Sequence, residues 1–445
     1  NIVVANMIGA GIFTTSGLLM TGLNNPGLML TLWAIGGIIA LCGALSYGEL
    51  GAAMPGAGGE YLFLSELYHP VFGFLSGWVS FIVGFSAPIA ASALGFSEYF
   101  TRALPGFTAW LGNAGIMRPE VTNKFLAISV IVIFTLIHYR GIKYGARIQN
   151  ALTLLKILLI VILLTAGFSS GNGSFSNFSK GGDMPSGLAG WKTIGLSLMW
   201  IMFAYSGWNA STYLGAEIKN PSRNLPGSLI IGTVIVLLLY LALNTLYVYG
   251  IEPEAMKGVI SVGGLAMSNL FGKSAGVLFS ILIAFALFSS LSAFIIIGPR
   301  VYYSMARDGL FFNWVARIHK RFQVPSNSIL LQCLIAVILV LSGTFEQVLT
   351  YMGFALGIFP VLTILGIWKL RKMKPEALRI KGFPVTQLIY ASAGVLILVL
   401  SFMERPVESS VALLTVATGI PFYFIFKKTN GKTVNRPMSD KHSGS

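Results

Sequence analysis

Apolar residues in this sequence continue for about 20 positions at a time, the length a helix needs to cross the hydrocarbon of a bilayer. Such runs, in place of amphipathic stripes, exclude a soluble domain. With 55% apolar and only 10% charged residues, the chain falls far short of the roughly one quarter charged that a soluble surface carries. Mean hydropathy is +0.77. Runs long enough to span lie at 1–23, 28–50, 71–101, 125–139, 145–168, 190–215, 227–250, 274–299, 328–343, 347–368, 384–403 and 407–426. The sequence therefore predicts an all-α membrane protein with 12 transmembrane helices.

The net charge of +15, from 30 Lys+Arg against 15 Asp+Glu, would suggest nucleic acid in a soluble protein. Its placement points to the bilayer, and no nucleic acid is expected. If the first span runs outward from the cytoplasm, the inner segments carry 21 Lys/Arg and the outer segments 8. That asymmetry predicts a multi-pass protein of the cell membrane with both termini cytoplasmic. Lys369, Arg371, Lys372, Lys374, Arg379 and Lys381 read most simply as topology determinants facing anionic lipid. With Asn1 first and no basic stretch before an apolar one, no signal peptide is expected, and the chain is read as beginning inside its first helix with a cytoplasmic extension ahead of it.

Cys42 and Cys333 both fall within spans and read as packing residues. His69, His138, His319 and His442 show no metal-ligand spacing, and no nucleophile-elbow or phosphate-loop motif is present. No metal, cofactor or enzymatic activity is expected.

Function is carried by two interruptions. The first span reads Met7-Ile8-Gly9-Ala10-Gly11-Ile12-Phe13. Its glycines either let the backbone unwind toward a ligand or serve close helix packing. The sixth span repeats the theme in Phe203-Ala204-Tyr205-Ser206-Gly207-Trp208-Asn209. Interruptions five spans apart place corresponding positions in two five-helix halves, and an odd number of crossings gives the halves opposite orientation, which is the pattern of an inverted-repeat transporter.

These residues resemble the amino acid–polyamine–organocation superfamily of permeases, which has the LeuT-type fold. The matching stretches are Gly9 to Phe13, Glu49-Leu50-Gly51 with Pro55 to Tyr61, Phe203 to Asn209, Glu217 to Pro226, and Arg300 with Met305 to Gly309. Phe203-Ala204-Tyr205 through Trp208-Asn209 looks most like the L-type amino acid transporter branch and its bacterial relatives, although Ser206 stands where some relatives carry glycine or aspartate. The resemblance implies a first five-helix repeat at 1–168, an inverted second repeat at 190–369, two further helices at 384–426 and a cytoplasmic tail at 427–445. It also implies broken helices one and six.

A zwitterionic amino acid needs donors for its carboxylate and acceptors for its ammonium. The N–H groups of Ala10, Gly11 and Ile12, at the positive end of an outer half-helix, suit the carboxylate, with Gly9 giving the backbone its freedom. By resemblance, the ammonium would meet carbonyls of Met7, Ile8, Phe203, Ala204 and Ser206. Tyr205, Gly207 and Asn209 complete the site, and Phe203 would close over the substrate. The central parts of the first, third, sixth, eighth and tenth spans hold no Asp or Glu, which favours neutral substrates over cationic ones.

Lys156 is the one charged residue in the middle of a span, about 16 Å along the fifth helix at 1.5 Å per residue. An unpaired lysine there costs about 2.5–3.5 kcal/mol, so it should face inward, toward first-helix carbonyls near Gly9 and the hydroxyls of Ser289 or Ser290. In sodium-independent members of the superfamily a lysine at the corresponding place stands where a sodium ion otherwise binds. A purely structural lysine is the plainer alternative. Glu60 and Tyr61, after a Gly-rich turn, offer an inner gate.

The expected function is sodium-independent secondary transport of neutral L-amino acids by alternating access, as an exchanger. The alternatives are a proton-coupled or cationic amino acid or polyamine carrier of the same superfamily, or a channel or receptor, for which no filter repeat or ring of pore charges is visible. The expected partners are the amino acid substrate and the lipid bilayer; a partner subunit is not specified.

Overall fold

A computed structural model describes residues 2–56, 58–106, 118–141, 145–215 and 218–429. Every expected span is found as helix within these residues. Ten helices are long and apolar enough to cross a membrane. The broken first span and the 17-residue ninth, Ser326–Ser342, bring the crossings to twelve. Glu217 and the tail from 430 onward lie outside the described residues.

Local chemistry sets the ends. Asn24 closes the first span in the left-handed region at φ 48°. Asn25 then caps the second span, Pro26–Ala53, by accepting the Leu28 N–H at 2.9 Å, with Pro26 at the first helical position. The tenth span, Phe345–Leu365, starts on a reciprocal capping box between Thr344 and Gln347.

The third span, Pro70–Ala103, carries a wide turn at Ser80–Gly84, where the Phe85 N–H reaches back to the Ser80 carbonyl at 3.1 Å. Pro88 contributes, having no N–H for the Gly84 carbonyl one turn earlier.

The second span packs chiefly on the seventh, Pro221–Gly250, and the third on the eighth, Lys273–Arg307. Each such pair sets side by side two helices that lie five spans apart in the sequence. The fifth span, Gly145–Ser169, turns Leu154, Leu155, Leu158 and Val161 outward and buries Lys156, Leu159, Ile160 and Leu163. A one-sided apolar exposure of this kind is what lipid contact on one face and protein on the other require.

Candidate functional site

The first span loses its helix at Ile8 and Gly9. The Ile8 N–H still donates to the Val4 carbonyl at 3.1 Å. Gly9 is extended (φ −129°, ψ −157°), and helix resumes at Ala10. Ala10, Gly11 and Ile12 are thus the opening residues of the second half-helix, whose first N–H groups have no intrahelical acceptor. Gly11 belongs to this resumed helix and not to the break. Its missing side chain lets the half-helix touch the sixth span, because a Cβ there would lie 2.5 Å from the Ala204 Cα.

The sixth span is helical over Gly187–Ala204 and continues as a short 3-10 turn at Ala210–Tyr213. Between them the Ser206 N–H donates to the Phe203 carbonyl at 2.8 Å. Gly207 sits at φ +93°, and a Cβ on it would stand 3.0 Å from the Asn6 carbonyl carbon. Both the left-handed backbone and the close approach call for glycine. The two breaks are packed backbone against backbone.

The carbonyls exposed by this unwinding are met from neighbouring helices. The Lys156 ammonium, 1% exposed, donates to the carbonyls of Ala5 (3.3 Å) and Ile8 and to Ser290 Oγ (3.1 Å). Ser290 in turn donates to the Ile8 carbonyl at 3.2 Å, and Ser289 is buried beside it. On the seventh span, the Tyr240 hydroxyl stands 2.6 Å from the Met7 carbonyl and 3.0 Å from that of Ala204, within donating distance of both helices. Tyr205 turns its hydroxyl away from the break, to the Trp33 carbonyl at 3.1 Å. Met7, Ile8 and Ala204, which the resemblance gives to a substrate ammonium, therefore already face donors of this chain, with Met7 and Ala204 sharing the one Tyr240 hydroxyl proton. A carbonyl has two lone pairs; both at Ile8 are taken, by Lys156 and Ser290, so spare accepting capacity is left to Met7 and Ala204.

A cavity of about 140 Å³ opens at the break of the sixth span, ample for a small solute where a single water needs about 10–15 Å³ on the same measure. Of the residues singled out from sequence, Phe203, Ser206, Gly207 and Asn209 line it, and Met7 to Ile12, Ala204 and Tyr205 do not. The close packing of Gly11 on Ala204 explains this division, since it sets the start of the second half-helix directly against the sixth span. Ser80, Phe85 and Pro88 bring the wide turn of the third span to the same cavity.

Glu60 also reaches the lining. It opens the short helix Glu60–Leu67 after the Gly58-Gly59 turn. The Tyr47 hydroxyl and the Asn209 amide each donate to its Oε1 at 2.9 Å. Burial pushes its carboxyl up to about 7, against the downward pull of hydrogen bonds from Tyr47, Asn209 and Ser76. Its neighbour Tyr61 donates to Asp308 at 3.3 Å.

The sequence profile of amino acid permeases matches residues 1–426. The chain belongs to the amino acid permease family. It is 27% identical to the Asc-type amino acid transporter 1 of Mus musculus over 444 residues, which is 98% of this chain and 81% of that protein. It is 27% identical over 435 residues to the Large neutral amino acids transporter small subunit 2 of Homo sapiens, covering 95% of this chain and 78% of the relative. The b(0,+)-type amino acid transporter 1 of Homo sapiens is 28% identical over 436 residues, 96% and 86% of the two chains.

Sequence reasoning missed Asn6, Tyr240 and the third-span turn. Tyr240 carried a readable signal as a hydroxyl within the apolar run Val234–Leu243. The role of Asn6 depends on Gly207 approaching from another span, which no local pattern encodes.

Proposed function

We propose that this permease is a sodium-independent secondary transporter of neutral L-amino acids that works by alternating access as an exchanger. The observation that carries this reading is the hold of Lys156 and Ser290 on the Ile8 carbonyl at the first break. A fixed ammonium there supplies the positive charge that a bound cation would otherwise bring to the same carbonyls. In this reading the Gly11–Ala204 contact opens during the cycle; the N–H groups of Ala10, Gly11 and Ile12 then take the substrate carboxylate, and free carbonyl oxygens of the two breaks take its ammonium, while Phe203 covers it. Residues 1–168 and 190–369 act as the two inverted repeats, 384–426 as an added helix pair, and both termini face the cytoplasm. The relative named as a transporter of large neutral amino acids supports the neutral substrate class.

The test is uptake of labelled alanine into proteoliposomes in sodium and in choline buffer. Equal, saturable and stereoselective uptake that requires internal amino acid is the expected result, and accumulation driven by a sodium gradient would overturn the reading. A cationic or polyamine carrier is the second reading, favoured by the Glu60 carboxyl in the cavity wall. Competition by leucine and serine but not by arginine or putrescine separates the two.

A further inference from the structure

We propose that Glu60 is a proton-binding site in the wall of the transport cavity, and that protonation there loosens the Gly-rich turn from the break of the sixth span. The pH on the Lys/Arg-rich face would then set how readily the cavity opens to that face. This rests on the alternating-access reading above.

Glu60 is 7% exposed, and among the described residues no ion pair involves it. Its donors come from three different elements: Tyr47 from the second span, Ser76 from the third and Asn209 from the sixth-span break. As a carboxylate it accepts from all three and ties them together. Tyr47 and Asn209 both donate to Oε1, so a proton on Oε2 displaces neither; it removes the negative charge that strengthens both bonds, and the ties to Tyr47 and Asn209 weaken together. The tie that bears on transport is that to Asn209, since Asn209 sits in the segment that must rearrange.

The titratable groups facing Glu60 are phenols: Tyr47, Tyr213 beyond the break, and Tyr390 on the eleventh span. None ionises near neutrality. The tenth span contributes Thr363 beside Tyr47. On its own helix, Tyr61 is engaged with Asp308 from the end of the eighth span. Glu60 is therefore the member of this cluster that exchanges a proton near neutral pH, and burial has already moved its carboxyl to about 7. With Tyr47, Asn209 and Ser76 as its partners, the site fits a proton better than a substrate cation.

The experiment reconstitutes the protein in known orientation and measures alanine exchange while the pH on one face is varied and the other is held. The wild type is expected to change rate several-fold across neutrality only when the Lys/Arg-rich face is titrated. Glu60→Gln should be flat over the same range. Tyr47→Phe, which removes a donor to the carboxylate, should move the midpoint toward alkaline pH, and it decides the matter if the Gln variant fails to elute as a monodisperse species. In parallel, infrared difference spectra of the detergent-solubilised protein should show an acid carbonyl band that titrates in the wild type and is missing in Glu60→Gln. A wild-type pH profile retained in Glu60→Gln, an unmoved midpoint in Tyr47→Phe, or the absence of a titrating band would each overturn the proposal while leaving alanine exchange in place. Titration of the band without any exchange would instead remove the transport reading and leave the proton site standing.

Discussion

The backbone of Ala204 occupies the space that a side chain on Gly11 would need, with its Cα 2.5 Å from where a Cβ would stand. At Gly9, two residues earlier, the nearest atom to such a Cβ is Ser290 Oγ at 3.6 Å, and the backbone is extended. The two glycines should therefore respond differently. Gly11→Ala forces the broken helices apart, at a cost of about 1–3 kcal/mol for an overpacked contact, and should abolish transport. Gly9→Ala should fold with unchanged thermal stability. Any loss of alanine affinity in that variant, read by equilibrium binding in detergent, then reports on the ligand. A Gly11→Ala protein with normal stability and exchange would remove the packing argument.

Tyr240→Phe takes the hydroxyl from the Met7 and Ala204 carbonyls, both in buried surroundings. A buried acceptor left without a donor costs about 1–3 kcal/mol. The expected outcome is a folded protein whose substrate affinity differs from wild type between the two membrane faces. Initial rates from each side in oriented proteoliposomes check this.

Lys156→Ala leaves the Ala5 and Ile8 carbonyls and Ser290 without their ammonium. Because these groups lie on the first and eighth spans, the balance between bundle arrangements should shift, and turnover should fall more than binding. Lys156→Arg should rescue poorly, since a planar fork does not reproduce a compact point charge. Wild-type exchange in Lys156→Ala from both faces would reduce the residue to packing.

Arg371 meets Glu49 in a two-pronged pair, Nε at 2.6 Å and Nη2 at 2.8 Å, while the Ile380 N–H donates to the same carboxylate at 3.0 Å. Glu49 is 1% exposed, and the guanidinium lies 3.8 Å from the centre of the Phe383 ring. Breaking a buried pair from one side costs about 3–5 kcal/mol. Arg371→Ala should lower the detergent melting temperature markedly, whereas Lys372→Ala, on an exposed neighbour, should leave it unchanged.

The Glu60 carboxyl rises from 4.5 to about 7 on burial. A carboxyl with a raised folded-state pKa stabilises the fold below its unfolded value, and that contribution is lost as pH climbs through the folded one. At about 1.4 kcal/mol per unit, the loss from pH 4.5 to beyond 7 is on the order of 3 kcal/mol. Glu60→Gln should flatten this decline, with its advantage over wild type in melting temperature confined to the alkaline side.

Spans, breaks and the inward-facing lysine were legible because each is written in local chemistry. A twenty-residue apolar run has one stable solution in lipid, paired small residues at mid-depth weaken it, and a solitary charge there must find oxygen. Gly11 was harder to read. From its own span it looks like a second unwinding residue, and only the approach of Ala204 shows that it serves helix contact. Arg371 was likewise read as one of six loop cations facing lipid. Its partner Glu49 is 322 positions away, and nothing in the loop distinguishes it from Lys369 or Lys372. Tyr240 falls between these cases, visible as an oddity in an apolar run but without an assigned partner.

The ammonium that rests on the first break is attached to the chain by its own side chain. A free cation arriving at those carbonyls would bring the energy of its gradient with it and leave on the other side. Lys156, while it keeps its proton, returns to its starting place with every cycle. It can raise or lower the barrier between the two states of the bundle, yet it performs no work on the cargo. On the sodium-independent reading proposed above, uphill movement of one amino acid would be drawn from the downhill movement of another solute that enters and leaves the cavity.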